Sequence, residues 1–157
     1  MKADVNLLAC CGFYCGDCLR YTGVIADPAH NLIRVLEKYS FGRTAECVFP
    51  RELSGYGDLC EMLGFMATLR CPGICRTPEL GDRPSPCEVR DCCREKGFYA
   101  CYQCDEFETC EVLLRLHEGL HAEACAVNMR AIREMGLTAW LDHGERHCYW
   151  TEEGEAE

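Results

Sequence analysis

Leu32, Val35, Leu36 and Tyr39 recur three and four residues apart, the spacing of one apolar helix face. Asp27 and Pro28 precede them as a cap and a first-turn proline, and Ser40 to Gly42 follow as a stop. The pattern predicts a helix over 28–40. A second amphipathic helix is predicted over 58–70, with Leu59, Met62, Leu63, Met66 and Leu69 on one side. Further helices are predicted over 88–96, closed by Gly97, and over about 108–120. Two more follow, over 122–135, closed by Gly136, and over 137–147, with Trp140 and Leu141 facing inward. Period-two alternation is scarce, and Val48-Phe49 and Phe98-Tyr99 are the candidate extended pieces. Residues 71–87 hold four of the six prolines and read as an irregular loop.

Cysteine changes this picture. The chain has 16 cysteines in 157 residues, so the 48% of apolar residues overstates the conventional core. Most thiols fall in short clusters. Cys11, Cys15 and Cys18 lie in CGFYCGDC; Cys71 and Cys75 in CPGIC; Cys87 and Cys92 in CEVRDC; Cys101, Cys104 and Cys110 in CYQCDEFETC. Thiolates two to four residues apart can converge on one tetrahedral ion. The fold class expected is mainly α: a small, irregular, metal-stapled domain with cysteine knuckles and few or no short strands. One domain is expected over 1–150, followed by an acidic tail over 151–157.

The start MKADVNLLACC lacks the apolar stretch of about 7–15 residues that a signal peptide needs. No run reaches the roughly 18 apolar residues of a membrane span. The expectation is a cytoplasmic chain with reduced thiols, where close cysteine pairs bind metal more often than they form disulfides. The net charge of −10 disfavours nucleic acid, whose phosphates require a positive field. Thirteen of the sixteen basic residues are arginine, and they are scattered. A protein partner remains open.

The spacing supports more than one partition of the ligands. Cys15 and Cys18 with Cys101 and Cys104 make two knuckles around one ion, as in zinc ribbons, with Cys11 and Cys110 as further candidates. Cys71, Cys75, Cys87 and Cys92 form the other natural set. On a helix over 88–96, Cys92 and Cys93 point about 100° apart, and Cys92 is preferred as the ligand. Cys10, Cys47, Cys60, Cys125 and Cys148 lack cluster partners and read as small core residues. Structural zinc is the expected cofactor, and a [4Fe–4S] cluster is the alternative.

The stretches CGFYCGDC, CPG-C, CEVRDCCREKGF and CYQCDEFETC, with Asn128 to Leu141 behind them, resemble the domain-of-unknown-function family 3795. The similarity covers most of residues 10 to 141. It implies a metal-binding domain with no assigned reaction, in a family common in anaerobic bacteria and archaea. The sequence departs from the family pattern in the C-x3-C spacing of Cys71 and Cys75, and in Thr109 standing where proline often precedes the last cysteine.

An enzyme reading competes with this one. His117-Glu118-Gly119-Leu120-His121 matches H-E-x-x-H, in which two histidines on one helix face hold zinc and the glutamate acts as general base. Gly119 weakens such a helix, and Ala124 stands where the extended form of the motif has glycine. A zinc hydrolase therefore ranks behind a non-enzymatic metal protein. The spacing of the CGFYCGDC thiols also occurs in radical enzymes that cleave S-adenosylmethionine, but this chain is too short for their barrel. Thiol redox chemistry at Cys101 and Cys104 would need a βαβ context that the pattern lacks.

Overall fold

The computed structural model describes residues 3–71, 75–76, 87–116, 122–148 and 150. Among them the chain is mainly helical and has no sheet; the sole β feature is an isolated antiparallel bridge between Leu8 and Tyr14. The α-helices are α1 (Leu19–Thr22), α2 (Ala26–Lys38), α3 (Phe41–Cys47), α4 (Tyr56–Ala67), α5 (Glu88–Glu95), α6 (Glu111–Leu114), α7 (Ala122–Met135) and α8 (Leu137–His143). No helix among the described residues is long and apolar enough to cross a membrane. Two compact units emerge: Cys18–Pro72, and Met1–Asp17 with Gly73–Glu157.

In the Cys18–Pro72 unit, α2 packs on α4. The buried residues of α2 are small, Ala26 and Ala29, and Leu63 is the buried member of the α4 set. Leu59, Met62 and Met66, expected to face inward, are exposed. Asp27, expected as a cap, sits inside the first turn and pairs with Arg70, while Ile25 holds the cap position. The N–H of Cys71 donates to the Arg20 carbonyl at 2.9 Å and closes the unit. The helical pattern ends at Ser40–Gly42, yet α3 follows at once. Ser40 adopts φ 47°, and after that left-handed step a new helix starts.

In the other unit, Leu8, Tyr14, Ala100, Ile132, Trp140 and Leu141 form the core. Trp140 meets Tyr14 edge-on at 6.2 Å, and the Tyr14 hydroxyl accepts from the Asp4 N–H at 2.9 Å. Gly12, at φ +89°, turns the chain where a β-carbon would lie 2.6 Å from Met129 Cγ and 3.0 Å from the Cys125 carbonyl oxygen. Gly97 and Gly136, both at positive φ, close α5 and α7 as expected. α8 stops at His143 rather than near 147. Buried Asn128 takes the backbone of His147 instead, donating to its carbonyl at 2.9 Å and accepting from its N–H at 2.8 Å. The helix expected over 108–120 is broken: a 3-10 turn at Phe107–Thr109 leads through Cys110 into the short α6. Most of the 71–87 loop, residues 117–121 and the acidic tail lie outside the described residues.

Candidate metal centre

Within the unit that contains α5 to α8, a cavity of about 240 Å³ is walled by five cysteines. Cys92 and Cys93 come from α5, Cys101 and Cys104 from the 3-10 turn at Cys101–Gln103 and its end, and Cys110 from the N-cap of α6. The apolar part of the lining includes Phe98, Phe107 and Leu113.

Local structure fixes these positions. Gly97, at φ +68°, reverses the chain so that the Phe98 N–H returns to the Cys93 carbonyl at 2.8 Å. The Cys101 N–H donates to the Cys10 carbonyl at 2.8 Å, and the Cys104 N–H to the Cys101 carbonyl at 2.9 Å. Arg133 of α7 clamps this knuckle. Its Nε donates to the Tyr102 carbonyl at 2.6 Å, and its Nη2 reaches the Cys104 carbonyl and Asp105 Oδ1, both at 2.9 Å. The same guanidinium lies over the Phe107 ring at 4.9 Å. A planar, five-donor head group suits this task better than an ammonium would.

Two of these thiols are in contact. Cys93 Sγ lies 3.5 Å from Cys101 Sγ and 4.0 Å from the Cys10 carbonyl. The Cys10 hydrogen bond pulls the Cys93 thiol down, but the bond with Cys101 and burial outweigh it and push it up to about 12. In Cys10 the bond with Cys75 lowers the thiol, while the bond with Cys93 and burial raise it to about 11. Thiols so disposed stay protonated at neutral pH until a metal displaces the proton. Lys96 also lines the cavity and pairs loosely with Glu106 at 4.0 Å. The nearby Cys104 and Cys92 sulfurs raise its pKa, so it is a fixed positive charge beside the sulfurs.

Spacing grouped Cys92 with Cys71, Cys75 and Cys87; the structure sets it at the cavity with Cys101, Cys104 and Cys110. Cys93 lines the same cavity, because the space is broad enough for side chains about 100° apart to reach its wall. The Cys125 thiol lowers the pKa of Cys11, while burial, with smaller effects of Cys75 and Cys11, raises that of Cys87. Cys15 begins a half-buried 3-10 turn at Cys15–Asp17, anchored by Arg146 Nε to Asp17 Oδ2 at 2.6 Å. Cys18 and Cys71 belong to the Cys18–Pro72 unit and are half-buried. Of the cysteines read as core, Cys10, Cys125 and Cys148 are buried, whereas Cys47 is exposed and Cys60 half-buried. Helical offset ranked Cys93 behind Cys92 as a ligand, whereas packing sets both at the cavity. Among the described residues, no three His, Cys, Asp or Glu side chains are already drawn in to the spacing of a single ion. His117, Glu118 and His121 fall outside those residues.

No curated protein and no solved structure matches the chain. Residues 7–115, which include all ten clustered cysteines, match the family described as "Protein of unknown function (DUF3795)", and the chain belongs to that family.

Proposed function

We propose that this protein carries a thiolate-held metal centre in the cysteine-walled cavity, with Cys92, Cys101, Cys104 and Cys110 as ligands. The observation that supports it is five thiols around about 240 Å³ of space. An all-sulfur donor set selects zinc, iron–sulfur clusters or copper(I) over harder ions. The space favours a polynuclear group. Four sulfurs about 2.3 Å from one zinc lie about 3.8 Å from each other, which leaves no room for a further atom between them. A [4Fe–4S] cluster is therefore the preferred occupant, and when bound it supplies one-electron transfer. Lys96 beside Cys92 and Cys104 would favour the more reduced, more negative state. The proposed role is electron transfer or redox sensing.

Structural zinc is the second reading. It is favoured by the Cys93–Cys101 sulfur separation of 3.5 Å, close to the edge of a zinc tetrathiolate. A closed tetrathiolate leaves no open position, so the centre would then serve stability alone.

Metal and acid-labile sulfide per chain, measured on protein purified without oxygen, separate the two. Iron with sulfide and a brown colour, both lost in Cys104→Ser, is the expected result. Colourless protein with zinc that Cys104→Ser loses would establish the second reading. Metal content unchanged in Cys104→Ser and Cys110→Ser would refute both.

A further inference from the structure

The Cys18–Pro72 unit turns most of its large apolar side chains outward. Of the sixteen exposed among the described residues, twelve lie in this unit, while its buried apolar side chains are Ala26, Ala29, Ala45 and Leu63. A unit that fully buries one large side chain gains little apolar burial to offset the cost of ordering its backbone. Its helices need a further apolar surface against them.

The side that lacks this surface follows from the helix geometry. α2 and α4 pack together and run antiparallel. Arg70 and the Cys71 N–H tie the end of α4 to Asp27 and to the Arg20 carbonyl near the start of α2, and Phe41 meets Tyr56 at 5.8 Å at the other end. The buried positions, Ala26 and Ala29 on α2 and Leu63 on α4, are taken as the seam. At about 100° per residue, exposed Leu32, Val35 and Tyr39 then lie roughly 100° from the seam on α2. Exposed Leu59, Met62, Phe65 and Met66 lie about as far from it on α4, in the same rotational sense. In an antiparallel pair, equal offsets of one sense fall on one side, so the two stripes make one face. Arg34, Glu37 and Lys38 project outside the α2 stripe.

We propose that this face is the interface of a homodimer, in which the α2–α4 pairs of two copies close into a four-helix layer about a two-fold axis. The area fits. Tyr39 is 66% exposed, Met62 55% and Phe65 67%. With about half of each side chain presented, the seven residues offer about 700 Å² per copy, close to the roughly 800 Å² that each partner buries in a stable complex. That is also above the roughly 300–600 Å² of the largest apolar patch on a typical monomer. The chemistry fits a permanent partner, since obligate interfaces are the apolar ones and resemble a core cut in half. A two-fold axis sets a patch against itself, so an uncharged stripe of aliphatic and aromatic side chains is its own complement. Four helices packed in this way bury their seams as a bundle does. The net charge of −10 disfavours an anionic lipid surface as the cover.

The test is sedimentation equilibrium of the full chain, purified without oxygen and kept under reductant so that no disulfide links two copies. Wild type should have twice the 17.8 kDa chain mass. Met62→Glu and Phe65→Glu should each weaken the dimer at least about a hundred-fold, as loss of a central apolar anchor does. Met135→Glu, at an exposed apolar position of the other unit, should leave it unchanged. Should the glutamate variants fail to fold, Met62→Ala with Phe65→Ala inserts no charge and reads the same weakening. In wild type, amide protection of α2 and α4 should fall as dilution dissociates the dimer, while that of α7 stays. A monomer at every concentration would overturn the proposal, whether or not the chain then binds lipid vesicles. So would a dimer that survives both the glutamate and the alanine changes, because its interface then lies elsewhere. Protection of α2 and α4 that holds while the dimer dissociates would overturn it as well, because the cover then comes from within the chain.

Discussion

Replacing Gly12 by alanine should destabilise the protein more than the same change at Gly97, and the difference measures one close approach. Both glycines have positive φ, +89° at Gly12 and +68° at Gly97. An L side chain in that region costs about 1–2 kcal/mol. At Gly97 nothing lies within 4 Å of the added β-carbon, so strain is the whole penalty. At Gly12 the β-carbon meets Met129 Cγ at 2.6 Å and the Cys125 carbonyl at 3.0 Å. Met129 is fully buried and has little room to yield, and the carbonyl belongs to α7. Overpacking of this kind adds about 1–3 kcal/mol. At about 2–4 °C per kcal/mol for a chain of this size, Gly12→Ala should lower Tm by about 4–20 °C and Gly97→Ala by about 2–8 °C. Thermal melts of the two variants, side by side with wild type and under reductant, give the answer. Equal melting temperatures for the two variants would refute the close approach to α7. A wild-type Tm for Gly12→Ala would refute the turn itself.

Asn128→Ala should cost about 2–4 kcal/mol, because it leaves the N–H and carbonyl of His147 without partners; faster amide exchange over 144–148 reads it. Arg133→Ala should release the Cys101–Cys104 knuckle and speed metal loss about ten-fold. Arg133→Lys should not restore it, because one ammonium does not reproduce contacts to Tyr102, Cys104 and Asp105 together. Burial raises the Tyr99 phenol above its ordinary value of 10, and the Arg76 guanidinium opposes this only in part. The folded state thus favours the neutral phenol. Its contribution to stability is fully present below pH 10 and is lost as pH rises through the higher folded value. An ultraviolet titration of wild type minus Tyr99→Phe should show a midpoint above 10, and one at or below 10 would refute the assignment.

The parts legible in the sequence were those decided locally. Gly97 and Gly136 end their helices because glycine takes positive φ without cost, and a helix face bearing Trp140 and Leu141 is read from spacing. What escaped was decided by other parts of the chain. Asp27 is no cap because Arg70, far along the sequence, takes its carboxylate. α8 ends early because Asn128 captures His147. α4 packs on α2 with Leu63 buried and Met62 and Met66 exposed. The same division runs through the cysteines. Clusters are visible as spacing, but which cluster meets which is a property of packing. Cys92 sits at the cavity with Cys101, Cys104 and Cys110 because α5 and the turn after Gly97 fold back together.

Removal of metal should act on one stretch of chain first. α6 has four residues and α5 has eight, fewer than the roughly 12–15 an isolated helix needs to persist in water. Between them Val89, Phe107 and Leu113 are the large buried apolar side chains, and much of the remaining wall is thiol. α7, with fourteen residues, lies instead against Leu8, Trp140 and Leu141 through Ile132. A structural zinc contributes about 10–16 kcal/mol of apparent binding free energy at neutral pH, as much as the whole stability of a typical domain at about 5–15 kcal/mol. Where apolar packing is thin, that energy decides whether the segment is ordered. Chelation under reductant should therefore abolish amide protection across 88–114 while α7 keeps part of its own. Hydrogen exchange before and after chelation measures this directly. If α5 and α6 stay protected once the metal is gone, their packing suffices and the thiols serve chemistry rather than stability. If α7 loses protection in step with them, the core around Trp140 depends on the metal as well, and the unit folds only when loaded.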